Sequence, residues 1–291
     1  MKKKKLKVKL KNIVLFLIII ICIITLFVSS KNIINWIIDS NKTEKQIKEI
    51  TEIVEIEEVE ENENTEIIEQ KEEPPKENPY WDYIKMNMIN VNFNELKQKN
   101  PDTKGWIKVN GTNINYPFVQ ANDNKFYLNH TFNKSYNSAG WVFLDYRNNI
   151  NELSKNTIIY AHGRLDTTMF GSLKNILSSG WLNNTNNYVV KLSTETENTL
   201  WQVFSVYHIP TTSDYIKVHF SSNEEFTKWA KMLLDRSVHN FNTSINENDQ
   251  ILTLSTCYND KEKVVLHAKL IKKETRYWTA PLRVDINKKT V

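Results

Sequence analysis

Ile251-Leu-Thr-Leu-Ser-Thr-Cys257 and Val264-Val-Leu-His-Ala-Lys-Leu-Ile271 are runs of aliphatic and β-branched residues joined by the polar turn Tyr258-Asn-Asp-Lys-Glu262. Runs of this kind, bounded by turn residues, read as strands. In the first, the period of two puts Ile251, Thr253, Ser255 and Cys257 on one face and Leu252, Leu254 and Thr256 on the other. The thiol therefore ends a strand, on a rigid support. Similar runs are Trp106–Val109, Trp141–Leu144, Asn156–Tyr160, Tyr188–Leu192 and Trp201–Ile209. So many strands at irregular spacing predict a mainly β fold, a closed barrel or a sandwich. One long helix is predicted before the cysteine strand: Ser222-Asn-Glu-Glu225 has the spacing of a capping box, and Phe226, Trp229, Ala230, Leu233 and Leu234 recur at helical intervals. Such a stripe on an amphipathic helix faces a core.

Outward from this region, the 291-residue chain is 40% hydrophobic, enough for one substantial core. Its net charge of +4 conceals a division. Lysines crowd residues 1–11, an uncharged apolar stretch fills 12–30, and acidic residues dominate to about Glu77. The apolar stretch is close to the roughly 20 residues a bilayer-spanning helix needs. It exceeds a signal-peptide core, and Val28-Ser-Ser30 is a poor cleavage site, so a retained anchor is expected. Basic residues ahead of it predict a cytoplasmic N-terminus and an extracytoplasmic remainder. Residues 31–79, without glycine and ending in Glu72-Glu-Pro-Pro-Lys-Glu-Asn-Pro79, read as an acidic stalk, within which 47–68 has drifting helical character. Residues 80–291 then form the folded domain. With the basic residues confined to one end, nucleic-acid binding has little support.

Two cysteines lie on opposite sides of this logic, Cys22 in the apolar stretch and Cys257 in the exported part. They cannot pair, and a free exported thiol calls for chemistry or intermolecular pairing. A thiolate is a nucleophile and an imidazole can share its proton, so His162, in Ile158-Ile-Tyr-Ala-His-Gly163, is the candidate partner of Cys257. His267 shares strand parity with Lys263 and Val265 and competes for that role; His130, His208, His219 and His239 read as structural. No second exported cysteine, no close histidine pair and no glycine-rich phosphate loop is present among only six glycines, so neither a metal nor a cofactor is expected.

The cysteine segment resembles that of a class B sortase, a membrane-anchored cysteine transpeptidase of Gram-positive bacteria. The likeness extends to Asn100-Pro-Asp-Thr-Lys-Gly-Trp-Ile-Lys-Val109, Thr112–Gln120, Phe126-Tyr-Leu-Asn-His130, Phe143-Leu-Asp-Tyr-Arg147 and Met169-Phe-Gly-Ser-Leu-Lys174, in family order. The resemblance implies a closed barrel of about eight strands, helices ahead of it within 81–99, and the long helix already noted. It implies that Cys257 attacks a sorting signal of the Asn-Pro-x-Thr-Asn/Gly type after Thr, that His162 handles the protons, and that a peptidoglycan or lipid-linked amine accepts the exported protein. It also implies substrate contacts at Tyr215, Ile216, Ser255 and Thr256. One departure stands out. Where sortases carry an arginine on the strand after the cysteine, this chain has Lys263, after a turn shorter than usual. Lys263 keeps the charge without the planar fork, and Arg164 is a possible substitute. Two alternatives follow: a sortase-fold binder with weak or lost activity, and a Cys-His peptidase that releases its product to water.

Overall fold

The structure is a computed structural model that describes residues 10–60, 62–68, 80–257 and 261–276. Helix α1 (Leu10–Ile53) is followed by β1 (Ile56–Val59), β2 (Thr65–Ile67), the short α2 (Tyr80–Tyr83), β3 (Met88–Val91) and α3 (Asn94–Lys99). Next come β4 (Thr103–Val109), β5 (Asn115–Val119), β6 (Phe143–Leu144), β7 (Asn156–Tyr160), α4 (Ser179–Leu182), β8 (Val189–Thr194) and β9 (Glu197–Pro210). Helix α5 (Asn223–Arg236), β10 (Ile251–Cys257) and β11 (Glu262–Thr275) complete the described chain.

The large sheet runs β10-β7-β6-β5-β4-β8-β9-β11, and a further β10–β11 pairing closes it into an eight-strand barrel; β2 adds to the free side of β11, and β1 pairs β3 separately. The expected barrel is thus present. Alternation sorts its side chains. Leu252 and Leu254 of β10 and Val264, Leu266 and Ala268 of β11 enter the barrel core with Trp106, Trp141 and Trp201. Ile251 and Val265, one residue out of phase, join a second cluster under α5 with Phe226, Trp229, Ala230 and Leu233. The predicted stripe is therefore core.

Ser222 caps α5, its hydroxyl accepting from the Glu225 amide at 3.2 Å. The reciprocal half of the box is displaced by one residue: Glu225 accepts from the amide and hydroxyl of Ser221, at 2.7 and 2.8 Å. Lys217 also pairs with Glu225, and the carboxyl is held down at about 2, led by that lysine bond.

Two regions differ from expectation. The region 81–99 contains a strand, β3, between its two short helices. Between 31 and 68 the chain is not a free stalk: α1 continues unbroken to Ile53, Ser40, Thr43, Gln46 and Ile50 are buried, and both β1 and β2 pair with strands of the domain. The physical reason is apolar burial, since Ile47, Ile50, Ile53, Val54 and Ile56 all pack on the barrel core. The proline-rich end of that segment lies outside the described residues.

Candidate active site

Strands β7 and β10 are parallel neighbours, with Ile158 level with Thr253 and Tyr160 level with Ser255. In a parallel pair, level residues share a face. Two residues further along each chain come His162 and Cys257, of the same parity and at the same end of the sheet. On the other side of β10, antiparallel β11 sets Lys263 directly opposite Cys257. Residues opposite one another on antiparallel strands also share a face, with Cβ atoms about 5 Å apart. The backbone thus brings the three sequence candidates to one end of one sheet. The side chain of Cys257 is not described, and Tyr258 to Asp260 lie outside the described residues.

The His162 ring is half-buried and held from a loop: its Nε2 lies 2.6 Å from the carbonyl oxygen of Leu128. A carbonyl only accepts, so Nε2 carries the proton in this contact and Nδ1 is the nitrogen left for exchange. The main chain on either side is pinned. Thr256 donates to the Ala161 carbonyl at 2.8 Å, and the Phe170 amide donates to the His162 carbonyl at 3.0 Å. The loop after His162 turns back tightly: Gly163 bridges Met169, both Thr167 and Met169 have positive φ (63° and 52°), and a Cβ on Gly171 would come within 2.2 Å of the Arg164 carbonyl oxygen. That contact accounts for the glycine in the Met169–Lys174 block.

His267 is excluded from the chemistry by its surroundings. It is wholly buried, opposite Thr253, and both ring nitrogens are engaged. The Asn156 amide nitrogen donates to the Lys217 carbonyl at 2.9 Å, so its oxygen faces Thr253, whose hydroxyl donates to it at 2.7 Å. Having spent its proton, the Thr253 hydroxyl accepts from His267 Nδ1 at 2.9 Å; Nε2 then accepts from the Tyr207 hydroxyl at 2.8 Å. Burial, with a smaller push from Arg236, lowers the His267 pKa to about 3. This neutral ring ties four strands to the 215–217 segment.

Arg164 is not a free substitute cation either. It is buried, and its guanidinium donates to Asp166, to Thr168 at 3.1 Å and to Ser40 at 2.5 Å. Desolvation raises the Asp166 pKa, but these bonds from Arg164, Thr168 and Ser40 outweigh it and leave the carboxyl well below its usual range.

Of the expected substrate contacts, only Ile216 is partly accessible. Tyr215 and Ser255 are buried and share a hydrogen bond of 2.9 Å, while Thr256 points its hydroxyl at the Ala161 carbonyl. In this structure those three form the base under the site. A supporting group missed in the sequence is Asp145. Its fully buried carboxylate accepts from the Arg147 amide (2.9 Å), Nε (2.8 Å) and Nη2 (2.7 Å), the Tyr160 hydroxyl (2.9 Å) and the Asn124 amide (3.0 Å). Arg147 in turn donates to the Ile216 carbonyl at 3.0 Å. One buried charge therefore links the end of β7, two residues before His162, to the Ile216 segment. The signal was present in Phe143-Leu-Asp-Tyr-Arg147, as an acid and a base two residues apart.

A family described as "Sortase domain" matches residues 107–271, more than half of the chain. The chain belongs to the sortases. Sortase B of Staphylococcus aureus is 33% identical over 188 residues, 63% of this chain and 76% of that protein. Among solved structures, sortase B from Bacillus anthracis in complex with AAEK1 superposes with a TM-score of 0.64 at 31% identity, covering 81% of this chain and 99% of that one. A Staphylococcus aureus sortase B–substrate complex gives 0.58 at 33% identity, over 62% of this chain and 84% of the other. These relatives make it a class B sortase, a cysteine transpeptidase that anchors proteins to the cell wall. Its α1 is the one described helix long and apolar enough to cross a membrane.

Proposed function

We propose that this sortase cleaves an Asn-Pro-x-Thr-Asn/Gly-type signal after Thr and transfers the exported protein to a peptidoglycan or lipid-linked amine, with Cys257, His162 and Lys263 as the reacting constellation. The observation that carries the reading is the register: Lys263 lies opposite Cys257 on antiparallel β11, and parallel β7 and β10 end level at Tyr160 and Ser255, two residues before His162 and Cys257. The Cys257 thiolate attacks the Thr carbonyl, forming the S–C bond; the intermediate collapses with loss of the C–N bond to a thioester, and His162 protonates the departing amine. The incoming amine attacks the thioester and gives its proton to His162 as the thiolate leaves. The oxyanion formed in each step needs a positive group aimed at it, and Lys263 provides one as a point charge. Ile216 lines the signal's path, on a segment held by Arg147. The span 12–30 anchors the enzyme, with residues 1–11 in the cytoplasm and the barrel outside.

The test is incubation of the purified chain with a fluorogenic Asn-Pro-Gln-Thr-Asn peptide, with and without an amine nucleophile, beside Cys257→Ala and His162→Ala. The expected outcome is an amine-linked product made by the wild type alone. Cleavage giving only the free acid in the presence of amine would replace transfer by hydrolysis. Cleavage surviving Cys257→Ala would remove the mechanism.

A further inference from the structure

Helix α1 does not end where its apolar stretch ends. After Ser30 it continues through exposed Ile33, Ile34, Trp36, Ile37 and Ile38, and its hydrogen bonds with the barrel loops begin at Asp39. Those contacts are dense. Asp39 accepts from the Ser138 amide and hydroxyl, at 3.2 and 2.6 Å, and its carbonyl accepts from Asn137 at 3.2 Å. Ser40 accepts from Arg164 and donates to Asp166 at 2.8 Å, and the Arg164 guanidinium lies 5.7 Å from the centre of the Trp36 ring.

Helical rise converts this junction into a height. Residues 12–30 span about 28 Å at 1.5 Å per residue, nearly the roughly 30 Å of a hydrocarbon core. Trp36 is then about 9 Å beyond the core, at the outer edge of a headgroup layer roughly 5–8 Å deep, where tryptophan is favoured. Because Arg164 reaches both the Trp36 ring and Ser40, about 9 and 15 Å beyond the core, the loop after His162 stands at and just above the headgroup surface. The two loops that grip α1 each expose a large apolar side chain beside the gripping residue: Leu165, 84% exposed, next to Arg164, and Tyr136, 73% exposed, next to Asn137. Isolated exposed apolar residues are ordinary, but two that each flank a residue gripping a membrane-spanning helix match a lipid surface.

We propose that the α1 junction seats the barrel directly on the bilayer, with Leu165 and Tyr136 against the headgroup surface and the His162 end of the site facing the membrane. The reading rests on α1 being the membrane anchor. It makes residues 31–53 a strut of fixed height rather than a flexible tether, so substrate and amine meet the thiol at the lipid surface.

The experiment uses the full chain with Cys22→Ser and Cys257→Ala, reconstituted in phosphatidylglycerol–phosphatidylethanolamine vesicles and labelled with an environment-sensitive fluorophore at Leu165→Cys, Tyr136→Cys or Glu57→Cys. Glu57 follows the far end of α1, and Ile53 is about 25 Å along the axis from Trp36. With nitroxide-headgroup lipid, emission at 165 and 136 is lost while that at 57 survives, and Asp39→Ala restores much of the emission at 165. Retention in carbonate-washed vesicles with 165 no more quenched than 57, or quenching unchanged by Asp39→Ala, overturns the seating alone. Release of the protein by carbonate removes the anchor and the seating together.

Discussion

Replacing Asp145 by alanine removes the acceptor for five donors at once and takes the carboxylate away from the Arg147 guanidinium, which keeps the Ile216 carbonyl, and from the Tyr160 hydroxyl. Breaking a buried ion pair from one side costs about 3–5 kcal/mol. The carboxylate is fully buried but the Arg147 side chain is 32% exposed, so water recovers part of the loss and the lower figure, about 3 kcal/mol, applies. At a urea slope of about 2 kcal/mol per molar, the midpoint falls by roughly 1.5 M. Tyr160→Phe removes one neutral donor to a charged acceptor and costs about 1.5 kcal/mol. Because both changes break the same bond, the double variant is less destabilised than the sum of the two. The assay is urea unfolding of the full chain in detergent, followed by tryptophan emission. A loss below about 1 kcal/mol for Asp145→Ala, or strict additivity with Tyr160→Phe, refutes a charge-centred network. The pH dependence has a fixed sign. Desolvation raises the Asp145 pKa, but the bonds from Arg147, Tyr160 and Asn124 outweigh it and lower the pKa overall. The unfolded chain therefore takes up the proton first, so the contribution is complete above the ordinary carboxyl range and is lost as pH falls through the depressed value. Wild type and Asp145→Ala converge in acid.

Lys263→Ala lowers kcat by about 10²–10³-fold if the amine serves the oxyanion, whereas Lys263→Arg keeps or raises it; wild-type turnover by the alanine variant ends that role. His267, with its pKa lowered to about 3 by burial, binds no proton in the folded state where the unfolded chain does, so its contribution is full above 6.5 and declines toward 3. His267→Gln therefore loses less stability than wild type on acidification to about pH 5, and equal slopes in urea titrations at the two pH values contradict it. Ser222→Ala, which removes the α5 cap, costs about 1 kcal/mol by the same titration without changing peptide turnover. A fall in kcat there would show that α5 acts on the site.

The barrel was legible where strands are long and doubly buried. Asn156–Tyr160 was found to the residue, and Ile251–Cys257 in full, because both are runs of buried residues: β7 puts Ile159 into the barrel core, and β10 fills that core with Leu252 and Leu254 and the second cluster with Ile251. Strand β5 escaped notice because Pro117 interrupts its pattern. The sheet tolerates it: β6 meets β5 only at Val119, and the Pro117 carbonyl is used by the Trp141 indole at 2.9 Å. The segment 31–68 misled because its charges suggested solvent, while the isoleucines between them are spent on a partner surface that composition cannot display. In the site, the proposed pairing of Cys257 with His162 rests on chemical type and strand position. The roles of Asp145, Arg147 and the Leu128 carbonyl were not legible, since each depends on a contact between distant segments.

The lysine at 263 is best understood through what fixes its position. Strand β11 is registered against β9, with Lys263 opposite Ile209 and Val265 opposite Tyr207, as well as against β10. The backbone of residue 263 is thus set by the barrel and not by the turn that precedes it, so that turn can shorten without moving 263 away from Cys257. A slip of one residue would instead turn the cation to the other face, where Val264 and Leu266 fill the core. The register therefore fixes the place of residue 263 whatever side chain it carries. Exchanging arginine for lysine retains the charge and gives up the planar fork that orients two donors on one oxygen. In the proposed mechanism that loss falls on the oxyanion, a group that exists only in the transition state, so it is expected in kcat rather than in KM.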